Sequence, residues 1–235
     1  MTKRVAIIAA LPREIAGLVR GWRQDEALAK RRRIFVYTNE DAVVACAGMG
    51  AARVSLAVEA ALAGGTVSEI ISVGWAGGLH AGISAGSLHE PGLIIDARTG
   101  ERFSAGRGEG VRGEGGCSEC VLVTAGSVAG PMEKRRLRET YGADLVDMEA
   151  AAVARIAQGQ GLPFRSLKVV SDTHDFEMPE LARFSTQDGW FREGAFALHV
   201  AVRPHLWGKA MTMAHASKES AATLCERLRL QLGGR

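Results

Sequence analysis

The strongest constraint in this sequence is the way its apolar runs stop. Residues 5–11, 34–38, 42–46, 69–74, 121–124 and 167–170 are short and rich in Val, Ile and Ala. That length and composition belong to buried strands. Several runs break off at Pro12, Gly48, Gly74 or Asp172, and Ala-rich segments with helical apolar spacing, 51–62 and 150–158, lie between them. A strand, a glycine turn, a helix and a second strand make a crossover unit, which brings strands into a parallel sheet covered on both faces. The expectation is an α/β fold, three-layer αβα with a mixed, mostly parallel central sheet. One domain spanning 1–235 is large enough to hold it.

The connections refine this picture. Asn39-Glu40-Asp41 between two β-rich runs predicts a hairpin, and Lys30-Arg31-Arg32-Arg33 reads as a solvated turn before the second strand. Residues 98–116 carry seven glycines and no hydrophobic period, which predicts an exposed loop. The charged stretch 131–140 predicts a surface helix. In the tail, an apolar helix over 190–202 is interrupted at Pro204, a short apolar piece follows at 206–213, and an amphipathic helix covers 217–232.

Composition excludes some roles. A net charge of +3, from 29 Lys and Arg against 26 Asp and Glu, is too small a surplus for a nucleic-acid partner. The apolar start at 5–11 ends too early for a signal peptide, and no window reaches the ~18–20 apolar residues of a membrane span. A cytoplasmic protein without stable membrane insertion is expected. The four cysteines form no disulfide pattern, and Cys117-Ser-Glu-Cys120 lacks the second pair that zinc needs, so no metal is expected.

Ligands of open α/β sheets bind beyond the carboxyl ends of the strands. That rule selects Glu14, 48–50, 75–78, 124–128, Glu149 and Asp172. Gly48-Met49-Gly50 is no dinucleotide fingerprint, since Arg53 stands where a third glycine would, and it lacks the P-loop lysine. Each acid also has a plainer reading. Glu14 and Glu149 suit the first turn of a helix, and Asp172 suits a strand end or cap.

Taken together, Val5 to Glu14, Gly48-Met-Gly50, Ser72-Val-Gly-Trp-Ala-Gly-Gly-Leu79, Val146-Asp-Met-Glu149 and Val169-Val-Ser-Asp172 resemble the nucleoside phosphorylase and nucleosidase superfamily over nearly the whole chain. The start is most similar to methylthioadenosine/S-adenosylhomocysteine nucleosidases. The stretch from Glu133 onward, with the helical tail, looks more like a hopanoid-associated phosphorylase-like branch that acts on an adenosyl group carried by a lipid. The resemblance implies a phosphorylase/hydrolase-like fold and cleavage of the N-glycosidic bond of a purine, adenosine-like nucleoside without a cofactor. Hydrolysis leads, and phosphorolysis, with phosphate as co-substrate, is the alternative. A third reading is a nucleoside-binding module that no longer cleaves.

By the same resemblance Asp172 protonates or hydrogen-bonds purine N7, which calls for an acid kept protonated by burial. Met148 and Glu149 hold the ribose, and Glu14 activates water. Ser171, Val128, Gly77 and Gly78 contact substrate, and Gly50, Arg53, Trp75 and Lys168 form a phosphate or water site. Two positions depart from the pattern. Trp75 replaces a small hydroxyl residue, and Val128 stands where an aromatic stacks on adenine. A homodimer or larger assembly is implied.

Overall fold

The computed structural model describes residues 4–106, 120–177, 181–184, 186 and 189–233. The chain runs through β1 (Arg4–Ala9), α1 (Pro12–Ile15), β2 (Arg23–Gln24), α2 (Glu26–Arg32), β3 (Phe35–Thr38), β4 (Ala42–Cys46) and α3 (Ala51–Ala63). It continues through β5 (Val67–Gly78), β6 (Leu88–His89), β7 (Leu93–Asp96), β8 (Arg102–Ser104), β9 (Val121–Thr124), α4 (Pro131–Tyr141), β10 (Leu145–Asp147) and α5 (Ala150–Gly159). Last come β11 (Phe164–Asp172), α6 (Leu181–Phe184), α7 (Glu193–Ala201) and α8 (Pro204–Gly233).

The strands form one mixed sheet in the order β2-β3-β4-β1-β5-β10-β9-β7-β8, with β11 also pairing β5. Parallel pairing dominates its middle, where β1 lies between β4 and β5. The predicted hairpin of β3 and β4 is antiparallel, its turn held by Asn39 Oδ1 accepting from the Asp41 and Ala42 amides. Along β1, side chains alternate between the faces. Ala6 and Ile8 join the cluster with Val54, Ala57 and Val58 of α3 and Ala150 to Ala154 of α5. Val5, Ile7 and Ala9 join Leu224, Cys225 and Leu228 of α8 on the other face. This is the expected three-layer αβα arrangement.

Four expectations need correction. The basic run is no turn: Lys30 to Arg32 close α2, whose start is capped by Asp25, and Arg33 adopts the left-handed C-cap conformation at φ 53°. The first part of the glycine-rich stretch is strand β8, paired with β7 and burying Phe103, while 107–119 lies outside the described residues. The helix over 131–140 forms, yet it is not wholly a surface helix, because Lys134 and Leu137 are buried. Pro204 does interrupt the tail, since α7 ends at Ala201, but 206–213 and 217–232 are not separate pieces. Both belong to α8, which starts at Pro204 and runs unbroken for 30 residues, proline suiting a first turn. Among the described residues no helix is long and apolar enough to cross a membrane.

Candidate active site

The carboxyl ends of β1, β4, β5, β9, β10 and β11 open onto a cavity of about 1240 Å³, whose far wall is made by α7 and α8. Glu14, Trp75, Gly77, Val128, Met148, Glu149, Ser171 and Asp172 all line it. The structure thus brings together most of the residues selected by the strand-end rule, although they are spread over 159 positions of sequence.

Glu14 enters from α1, just after β1, and is 4% exposed. Its Oε2 accepts from the Ala10 and Leu11 amides at 3.0 and 2.9 Å. Burial raises its pKa above the usual carboxylate value, outweighing the Leu11 amide and the cations Lys168 and Arg13. Room for this carboxylate comes from Gly74. A Cβ there would lie 3.1 Å from Oε1, and φ of 133° is itself glycine territory. In the sequence Gly74 reads as the end of an apolar run, whereas β5 continues through it to Gly78; a glycine inside an apolar strand signals such a close approach.

Glu149 sits at the β10 to α5 junction, with Oε1 accepting from the Gly50 amide at 2.7 Å. Burial, with Asp147 alongside, pushes its carboxyl up to about 7, against the pull of Lys168 and the Gly50 amide. Asp147 is the anchor of this corner. It accepts from Thr124 Oγ1 at 2.7 Å and from the Ala150 amide at 2.9 Å, and it pairs with Lys168 Nζ at 2.8 Å. Sequence reasoning passed over Asp147. The available signal was Lys168 itself, a lysine between Leu167 and Val169 on a buried strand, which requires a carboxylate partner.

Of the residues expected at a phosphate or water site, Trp75 lines the cavity and Gly50, Arg53 and Lys168 do not. Lys168 is 1% exposed, is spent on Asp147 and does not line the cavity. Arg53 turns away, donating from Nε to the Ala47 carbonyl at 2.5 Å and lying over the Trp190 ring. The Gly50 amide is occupied by Glu149. Gly78 is also off the cavity, and a Cβ there would lie 2.9 Å from Ile83. Arg13 does line it, but its guanidinium is held by Glu193 at 2.7 Å and stacks over Trp75 at 4.8 Å. Trp75 therefore forms wall, as a half-buried platform for Arg13.

Asp172 was expected to be an acid isolated by burial, and the structure corrects this. Its side chain is 28% exposed and forms an ion pair through Oδ2 with Nζ of Lys134, which is 1% exposed. Ser171 Oγ donates to Oδ1 at 2.6 Å. Val128 is 47% exposed at the rim and offers no ring, but Trp75, Phe176, Phe191, Phe196 and Trp207 supply five aromatic walls. Phe176 and Phe191 come from loops whose sequence shows no period, so nothing pointed to them.

A covered α/β sheet with Glu14, Glu149 and Asp172 gathered at its strand ends over this cavity has the form of a small-molecule site, and the family match makes it that of an enzyme that cleaves the N-glycosyl bond of nucleosides. The chain belongs to the phosphorylase superfamily, whose family model matches residues 4–113 and 117–201. Among solved structures it is similar to a Helicobacter pylori MTAN mutant holding 5'-methylthioadenosine in its active site, at 15% identity and TM-score 0.71, covering 100% of both chains. It is also similar to futalosine hydrolase of Helicobacter pylori, at 17% identity and TM-score 0.70, covering 100% of this chain and 99% of that one. The 5'-methylthioadenosine/S-adenosylhomocysteine nucleosidase of Neisseria meningitidis gives 18% identity and TM-score 0.71, covering 99% and 100%. The TM-scores, at identities this low, show a shared fold. No curated protein matches the sequence.

Proposed function

We propose that the protein hydrolyses the N-glycosidic bond of a purine, adenosine-like nucleoside, with Glu14, Glu149 and Asp172 as its working carboxyls. As the C1'–N9 bond lengthens, positive charge grows on the sugar and negative charge on the base. Glu149, on the cavity wall beside Met148, faces the ribose and stabilises the cation. Glu14 takes a proton from the attacking water, in the manner of an inverting glycosidase. Asp172, with Ser171 on its other oxygen, serves the departing base.

The observation that carries hydrolysis is the state of the cations around Glu14. Arg13 is paired with Glu193, Lys168 with Asp147, and Arg53 points elsewhere. A phosphate would need such groups free, whereas a water needs only a base with a raised pKa, which Glu14 is. Incubating adenosine and 5'-methylthioadenosine with and without phosphate tests the reading. Free ribose or its 5-substituted form, at a rate independent of phosphate, is expected. Ribose 1-phosphate as the sole sugar product would overturn it.

The cavity also argues for a large, apolar 5' substituent. Its volume exceeds the ~300–1,000 Å³ of ordinary small-molecule sites. Val200, Trp207, Met211 and Met213 of the tail helices give it an apolar wall. An adenosyl group carried on a lipid fits that shape.

A further inference from the structure

Lys134 is the most anomalous residue of α4. Its neighbours Arg135, Arg136 and Glu139 are in solvent, while its own side chain crosses beneath the helix to the end of β11. There Nζ donates to Asp172 Oδ2 and to the Thr173 carbonyl at 2.6 Å. The sheet is cut to receive it. A Cβ on Gly77 would lie 3.0 Å from Lys134 Cε and 3.1 Å from Asp172 Oδ2, so only glycine leaves space for the pair. Burying an ammonium is costly, and a pair that merely joined α4 to β11 would be replaceable by apolar contacts. This pair instead lines the cavity, with the carboxylate partly open to it.

We propose that Lys134 is a positioning residue that supplies Asp172 with the proton handed to the departing base. The inference rests on the nucleosidase reading and extends it. When the C1'–N9 bond breaks, its electron pair stays with the base. The purine takes a proton from Asp172, which takes one from Nζ of Lys134, leaving a neutral amine that regains its proton from solvent. The attacking water gives up its proton through Glu14. Nucleoside and water become ribose and free base, with nothing else consumed. Isolation by burial is then unnecessary for Asp172, because the donor stands behind it.

A leaving group that needs no proton separates this role from a structural one. Adenosine and 4-nitrophenyl β-D-riboside, whose nitrophenolate departs unprotonated, are compared in the wild type, Lys134→Met and Lys134→Arg. For adenosine, kcat falls roughly 10²–10⁴-fold in Lys134→Met while KM changes little, the scale of lost general acid catalysis. For the nitrophenyl riboside the loss stays below about tenfold on the same scale. Lys134→Arg keeps the charge but not a transferable proton, and shows the same split. It carries the test alone if Lys134→Met does not fold. Equal losses on both substrates, or wild-type adenosine turnover in Lys134→Arg, overturn the inference and leave the nucleosidase reading standing. A wild type that releases no base from any purine nucleoside overturns both.

Discussion

At Glu149 burial and the neighbouring Asp147 both oppose the charge of the carboxyl. Its pKa moves from the ordinary 4.5 up to about 7 on folding. The folded state therefore holds this proton more tightly than the unfolded chain. The stability it contributes is complete below pH 4.5 and is lost as pH rises to about 7, at up to about 1.4 kcal/mol per pH unit. Urea titrations across that window should show stability falling with pH in the wild type and a flatter profile in Glu149→Gln. Parallel profiles would exclude Glu149 as the source. Gly74 makes a second case at this scale. Gly74→Ala places a methyl against the Glu14 carboxylate in a backbone conformation alanine resists. We expect ~1–3 kcal/mol of destabilisation and a fall in kcat from the displaced base, read by thermal melting and base release. Both residues were visible in the sequence to different degrees. Glu149 stands at a strand end followed by a helix, whereas the partner of Gly74 depends on a turn 60 residues earlier.

Lys168, within strand β11, shows how a residue sets a site from outside the cavity. It projects from that strand to Asp147 at the end of β10, and Asp147 also holds the Thr124 hydroxyl on β9 and the first turn of α5. One buried ion pair thereby fixes the junction from which Met148 and Glu149 enter the cavity. Lys168→Met should cost ~3–5 kcal/mol in denaturant titrations, because Asp147 is left buried and charged. A loss under ~1 kcal/mol, the level of an exposed pair, would show that the junction holds without it. The strands and α3 and α5 were legible because apolar period and length decide them locally. Lys134 was not, since α4 reads as charged along its whole length. Only the three-residue step from Lys134 to buried Leu137 hints that both lie on one face. The tail shows a related limit: the break at Pro204 is legible, but the continuity of 206–213 with 217–232 in one helix is not, because it depends on packing across the sheet.

At the scale of the molecule, the sheet supplies the acids of the cavity and the tail supplies its apolar wall. The carboxyl edge carries Glu14, Glu149 and Asp172, while α7 and α8 close over it and keep Leu198, Val202, Trp207 and Met211 partly in solvent. The sequence located the first half through the strand-end rule, but the second depends on where a 30-residue helix crosses the sheet, which no local pattern encodes. The division makes a prediction about 5' substituents. In a series of 5'-alkylthioadenosines, each methylene buried against Trp207, Met211 and Val200 should contribute ~0.8 kcal/mol, about a fourfold gain in kcat/KM per carbon until the cavity is filled. Adenosine, which cannot reach that wall, should be indifferent to Trp207→Ala, whereas the longer chains should lose most of their advantage in the same variant. The gain should appear in KM, since the tail contacts are alike before and during bond cleavage. A kcat/KM that is flat across the series would mean that the tail helices hold no part of the substrate, and the apolar half of the cavity would then need another occupant.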